Sequence, residues 1–221
     1  MKTKLIPLLL MLTFGLFIQC QHEDQVPQTN DSNITRGSDV VDLTAGYTFD
    51  KSHSSVRWET AYKGTGALLT GRFNQFGLTT FKFVEDDASQ ISIEGWVRLN
   101  TVNTGEPGRD GGCLIGTFGT DLAFVDEPEN LAIFKSTGVE LSSFDAGYIV
   151  TADLTFHGVT LPVTLKLNYT GTTFFDGTTP YFLSGFSGEF DFLAQTDYAI
   201  SSTSISDKVT VKINAQFKKN Q

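Results

Sequence analysis

The 221-residue chain has little sulfur and little imidazole: two cysteines, Cys20 and Cys113, and three histidines, His22, His53 and His157. Two thiols cannot build the disulfide framework of a small secreted scaffold, so a folded core must supply the stability. No two histidines stand at i, i+2 on a strand, which argues against a zinc site. Basic residues are also scarce, 16 Lys and Arg against 25 Asp and Glu for a net charge of −9. That balance excludes the clustered cations that displace counterions from a nucleic acid. Helical periodicity is nearly missing beyond the first twenty residues. The one helical stretch, Cys113–Phe124, repeats Leu114, Phe118 and Leu122 but holds Gly116 and Gly119, each costing about 1 kcal/mol relative to Ala. No repeat of solenoid or propeller period is present. Phenylalanine, in contrast, is abundant: 19 residues within an aromatic content of 12%, enough to argue for a sizeable core and against a disordered chain.

The single long apolar run, Leu5–Ile18, follows Lys2 and Lys4. Fourteen residues of helix span about 21 Å, short of the roughly 30 Å hydrocarbon core of a bilayer. Residues 1–19 therefore form a signal peptide. The string Leu16-Phe17-Ile18-Gln19-Cys20 resembles a bacterial lipobox, with Phe17 and Gln19 departing from its usual Leu and small residue. On this basis Cys20 is the lipidation site. Residues 20–45 form a polar, flexible tether, and the folded domain occupies residues 46–221.

Within that domain the pattern has period two. Val159, Leu161, Val163, Leu165, Leu167 and Tyr169 alternate with polar residues, as do Val209, Val211, Ile213, Ala215 and Phe217. Each set marks a strand with one buried and one wet face. Ile91, Ile93, Val97 and Leu99 form a third, with Gly95 at the inward position where a bend or bulge is expected. Further strands are expected at Ser55–Tyr62, Leu68–Asn74, Leu78–Val84, Leu131–Ser136, Gly147–Phe156 and Leu183–Phe192, eight or nine in all. Such a set suits a closed barrel or a sandwich.

Catalytic patterns are poor. Asp50, His53 and Ser54 suggest a hydrolytic triad, yet neighbouring residues on an extended chain point to opposite faces. In Gly185-Phe186-Ser187-Gly188 the second glycine of a nucleophile elbow is replaced by Glu189. Glu85, Asp86 and Asp87 lack the spacing of a calcium loop and suit a solvated turn.

Three strings carry a family resemblance. Tyr47 to Trp58, containing Asp50 and His53-Ser54, is similar to the opening strand of the YceI-like polyisoprenoid-binding family. Gly71-Arg72-Phe73-Asn74-Gln75-Phe76 is similar to its second strand, and Leu154 to Val163, with His157-Gly158, to its most distinctive segment. Phe134-Lys135-Ser136-Thr137 and Gly185-Phe186-Ser187 also fit, so the resemblance spans about Tyr47 to Phe217. Two departures from the family pattern fall in loops and strand ends. Gly111-Gly112 follows Arg109-Asp110 where the family carries a His, and Gln195-Thr196-Asp197-Tyr198 lacks an expected Arg.

The resemblance implies an all-β fold: an extended, antiparallel, eight-stranded lipocalin-like barrel with at most a short helix. Its lumen would bind, store or transport an isoprenoid lipid, such as an isoprenoid quinone or related amphiphile, without catalysis, cofactor or metal. Trp58, Phe73, Phe76, Phe81, Phe83, Trp96, Phe134 and Phe156 are the lumen candidates. His53 and His157 serve either as strand-end hydrogen-bond donors or as head-group contacts, and Gly158 and Pro162 as backbone devices. With the lipobox, the expected setting is a membrane-anchored lipoprotein facing the periplasm or cell surface of a Gram-negative bacterium. The alternative is an envelope stress-response or interaction module that binds another amphiphile or a protein.

Overall fold

The computed structural model describes residues 36–63, 66–119 and 130–221. The signal peptide, Cys20 and most of the tether lie outside these residues. Among the described residues twelve strands form: β1 (Val40–Asp42), β2 (Thr48–Phe49), β3 (Ser55–Tyr62), β4 (Leu68–Phe73), β5 (Phe76–Val84), β6 (Ser92–Arg98), β7 (Val102–Asn103), β8 (Leu131–Leu141), β9 (Tyr148–Phe156), β10 (Val159–Phe175), β11 (Tyr181–Leu193) and β12 (Ile205–Asn220). All pair antiparallel, in the order β1-β5-β6-β8-β9-β10-β11-β12-β3-β4-β7, with β2 added to β12.

The expected closed eight-stranded barrel is thus corrected to an open, curled sheet whose end strands, β1 and β7, do not pair with each other. Two interruptions divide the seam into short pieces. The chain breaks between β4 and β5 at Asn74-Gln75, and between β6 and β7 at a 3-10 turn, Leu99–Thr101. Between these corners run isolated backbone bonds, from Asn74 N–H to the Thr101 carbonyl (3.0 Å) and from Arg98 N–H to the Gln75 carbonyl (2.9 Å). Register shifts at Leu78/Thr80, Ser136/Gly138 and Tyr169/Gly171 bend the sheet, because an extra residue on one strand sharpens local twist. Gly171, at φ +105°, takes a conformation that a side chain would oppose.

Alternation sets the core. Val163, Leu165 and Leu167 are buried on β10, as are Val209, Val211, Ala215 and Phe217 on β12. The β9–β10 hairpin turns on His157 (φ +49°) and Gly158 (φ +74°), the paired positive φ of a two-residue turn that matches strand twist. Pro162 pairs with Asp153 of β9, and the ladder to β11 begins only at Lys166. Its missing N–H therefore leaves no gap in that ladder.

Two further differences concern the ends of the molecule. The tether assignment extended to residue 45, but Val40–Asp42 pairs with Lys82–Val84 and Val41 is fully buried. Three residues with one inward side chain are too short for period-two patterning to register. The helical segment starts earlier than the leucine spacing suggests. It runs as α1 (Pro107–Arg109), a π turn (Asp110–Leu114) and α2 (Ile115–Phe118), with Glu106 accepting from Gly108 and Arg109 N–H at its start. It buries Leu114 and Phe118 at one end of the curled sheet.

Candidate functional site: an apolar cleft between two aromatic clusters

The concave face of the sheet carries two groups of aromatic rings. The upper group is built around Phe81 and Phe217, stacked at 4.1 Å, with Phe186 edge-on to both and Phe83 against Phe186, Tyr148 and Tyr169. Phe49, from β2, joins Phe76 to Phe217. The lower group centres on Phe118 of α2, which packs on Trp58 (4.9 Å), Phe73 (5.9 Å) and Phe156 (6.5 Å). Phe156 in turn meets Phe192 and Tyr198, and Phe190 links Phe192 to Phe134.

A cavity of about 130 Å³ lies between them. Leu78, Val97, Leu154, Leu165, Leu167 and Val211 line its walls together with Gly95 and Gly188, and among the described residues the polar ones on its border are Ser55, Ser187 and Asn214. Gly95 sits across from Leu78, and Gly188 from Leu167, so glycine on one strand makes room for leucine on the next. A side-chain carbon at Gly188 would meet a methyl of Leu165 at 2.9 Å. The volume resembles the roughly 150 Å³ apolar void that stays dry and accepts benzene. It falls below the ~300–1,000 Å³ that buries a drug-sized ligand, so a long chain enters only as lining side chains rotate aside.

Of the eight lumen candidates, Trp58, Phe73, Phe76, Phe81, Phe134 and Phe156 line the cavity on the concave face. Phe83 does not line it; the ring is fully buried in the upper cluster. Trp96 alternates with the inward Gly95 and Val97 and so belongs to the convex face. It crosses over Gly77, still borders the cavity, and lies under Lys51 (5.7 Å) and Arg98 (5.7 Å). Phe118, Phe186, Phe190 and Phe192 also line the cavity and were not among the candidates. Their signals were present: Phe186, Phe190 and Phe192 share one parity on β11, and Phe118 lies on the leucine-spaced face of the helical segment.

Both histidines of the family-like strings are engaged in local structure. His53 is exposed, and its Nδ1 lies 2.7 Å from Asp50, an interaction that holds the Asp50 carboxyl below the usual carboxylate range. Ser54 Oγ donates to the Asp50 carbonyl (2.6 Å) and accepts from Gln216 N–H (3.0 Å). That hydroxyl is committed to joining the loop to β12 rather than to His53. His157 Nε2–H donates to the Phe118 carbonyl (2.6 Å) and so ties the β9–β10 turn to the end of α2. Among the described residues no cluster of three or more His, Cys, Asp or Glu is placed to hold a metal.

Polar contacts close the two ends. Above, Tyr169 OH bonds Asp39 and Thr172, and Thr172 meets Ser184. Burial and the Asp39 carboxylate push the Tyr169 phenol up. Below, Tyr198 OH donates to the Leu154 carbonyl (3.2 Å), and burial pushes its pKa up to about 12.

A curled antiparallel sheet enclosing an apolar, aromatic-walled cleft defines a lipocalin-like protein. More specifically, residues 47–217 match the YceI-like domain, and the chain belongs to that family. A UPF0312 protein of Pseudomonas aeruginosa is 31% identical over 150 residues, covering 66% of this chain and 72% of the relative. One from Pectobacterium atrosepticum is 32% identical over 151 residues with the same coverage. The fold is similar to that of Burkholderia cenocepacia BcnA, with TM-score 0.60, 18% identity, and 76% and 99% of the two chains covered. It is also similar to a polyisoprenoid binding domain from Saccharophagus degradans implicated in plant cell wall breakdown, with TM-score 0.52, 18% identity, and 79% and 98% covered.

Proposed function

We propose that the protein is a non-enzymatic carrier or reservoir for an isoprenoid lipid, held in the cleft between the two aromatic clusters. The observation that carries this reading is the cleft itself. It is a cavity walled by aromatic and aliphatic side chains, with Gly95 and Gly188 in its wall and, among the described residues, Ser55, Ser187 and Asn214 as the polar residues on its border. Each methylene moved there from water contributes about 0.8 kcal/mol, so chain burial alone can hold a ligand. The polyisoprenoid-binding relative from Saccharophagus degradans supports isoprenoid as the chain type. Cys20, read as an acylated anchor, would keep the domain at the cell envelope within reach of membrane lipids.

Protein purified without detergent is expected to release an isoprenoid on solvent extraction and to show the matching mass increment in native mass spectrometry. An empty protein that binds no isoprenoid after delipidation would overturn the reading. For the anchor, Cys20→Ser is expected to release the protein from the membrane fraction or block its processing. A wild type that is wholly soluble with an unmodified Cys20 would contradict lipidation.

A further inference from the structure

The β10–β11 hairpin continues past its neighbour in the sheet. β9 accompanies β10 only to Leu167, whereas β10 and β11 stay paired to Phe175 and Tyr181, and β12 follows β11 to Asn220. At strand rise, Phe175 stands roughly 25 Å beyond the start of β9. The tip is aromatic on both faces. Phe174 and Phe175 are 44% and 43% exposed and, as neighbours on a strand, point to opposite sides. Phe174 packs on Phe182 (4.9 Å), and Phe175 stacks on Tyr181 (4.9 Å). Each face also carries an ammonium group. Lys219, across from Phe182, lies over the Tyr47 ring (5.2 Å), and Lys218, on the other face, lies over Tyr181 (4.2 Å). In the turn itself, residues 176–180, Asp176 is the one charged residue.

A protein docking on one face of such a ribbon would leave the rings of the other face in water. A bilayer surface covers both faces at once, takes aromatic rings at head-group level and offers phosphate to lysine. The chain also enters the fold at this end, where Arg36 donates to the Ala146 carbonyl of the β8–β9 loop and Tyr169 OH to Asp39. A domain anchored through Cys20 therefore meets the membrane with this end first. We propose that the tip of the β10–β11 hairpin docks on a phospholipid bilayer, with Phe174, Phe175, Tyr181 and Phe182 in the interfacial layer and Lys218 and Lys219 on lipid phosphates. Asp176 keeps the contact shallow. The inference goes beyond the carrier reading and takes from it only the anchor that orients the domain. A few rings give a reversible contact, so the acyl group retains the protein in the membrane fraction and the hairpin sets its orientation.

The test uses the mature chain with Cys20→Ser, so that no acyl group contributes, and a large excess of vesicles of phosphatidylcholine and phosphatidylglycerol. The expected result is co-flotation that falls about tenfold in the double variant Phe174→Ser, Phe175→Ser, and by a similar factor in Lys218→Gln, Lys219→Gln with a weaker salt dependence. Leu68→Ser, 64% exposed at the opposite end of the sheet, should float as its parent does. Emission from Phe174→Trp, read against the parent, should be quenched by lipids brominated on their acyl chains, a readout that does not depend on the folding of the serine variants. A parent that does not float, hairpin variants that float equally, a loss as large in Leu68→Ser, or unquenched emission would each overturn hairpin docking. None of these results bears on lipid held in the cleft or on acylation of Cys20.

Discussion

The two aromatic clusters are built from the same residue types, yet they stand in different relations to the cavity. In the upper cluster Phe217 and Phe83 are fully buried and do not line it, and they pack ring against ring with Phe81 and Phe186. In the lower cluster Trp58, Phe73, Phe118, Phe134, Phe156, Phe190 and Phe192 all line it. The upper end is closed by the sheet's own strands, β1 on β5 and β2 on β12. The lower end is closed by a short helical segment held through His157. The upper cluster thus divides between rings that border the cavity, Phe49, Phe76, Phe81 and Phe186, and rings packed behind them as core, Phe83 and Phe217, whereas in the lower cluster every Phe and Trp borders it.

The largest effect that would sharpen this contrast is Phe217→Ala. Removing a ring from a solid cluster costs the transfer energy and leaves a void, about 3–5 kcal/mol by denaturant unfolding. Lipid binding should persist in the folded fraction. Phe118→Ala should show the reverse balance, a smaller loss of stability because the ring already borders empty space, and a greater loss of bound lipid. If both variants lose stability and lipid equally, the division between the clusters is wrong.

The tyrosines that close the ends predict alkaline sensitivity. A phenol whose folded pKa is raised stays protonated in the native state while the unfolded chain ionises, so its contribution is complete below pH 10. It is lost as pH rises through the folded value. For Tyr198, from 10 to about 12, the loss amounts to about 2–3 kcal/mol across that window. Tyr198→Phe should flatten the stability profile there. An unchanged alkaline midpoint would show that Tyr198 is not held neutral by burial.

Two glycines give a smaller, paired comparison. Trp58 crosses Gly71 and Trp96 crosses Gly77, each in register across an antiparallel pair. An added methyl would meet the indole at 2.5 Å in the first case and 2.8 Å in the second. Gly71→Ala must displace a buried ring and should cost about 1–3 kcal/mol. Gly77→Ala should cost less, because Trp96 is only partly buried and can swing outward. Equal losses in thermal melts would contradict the placement of Trp96 on the convex face.

Much of this organisation was legible in period-two alternation. β3 was delimited to the residue, and the buried parity of β10 and β12 is the parity of their apolar residues. The same rule placed Ile93, Gly95 and Val97 inward, which sends Trp96 outward; aromatic character alone had grouped it with the lumen. Closure was not legible. Whether a sheet closes depends on interruptions such as Asn74-Gln75 and Leu99–Thr101, which are polar or short and carry no hydrophobic period. Nor could alternation separate Phe83 from Phe81, two inward rings on one strand, because only the opposing strands decide which borders empty space.

The central claim, that the cleft beside the lower cluster receives an isoprenoid chain, is tested most directly by photolabelling. An isoprenoid ketone carrying a diazirine on its chain would be bound to the delipidated protein, irradiated and mapped by peptide mass spectrometry. The account predicts adducts on peptides containing Trp58, Phe118, Phe156 and Phe190–Phe192, suppressed by unlabelled ketone. Labelling confined to exposed Phe174 and Phe175 and their ring partners Phe182 and Tyr181 at the tip of the β10–β11 hairpin, or labelling that unlabelled ketone does not suppress, would contradict it.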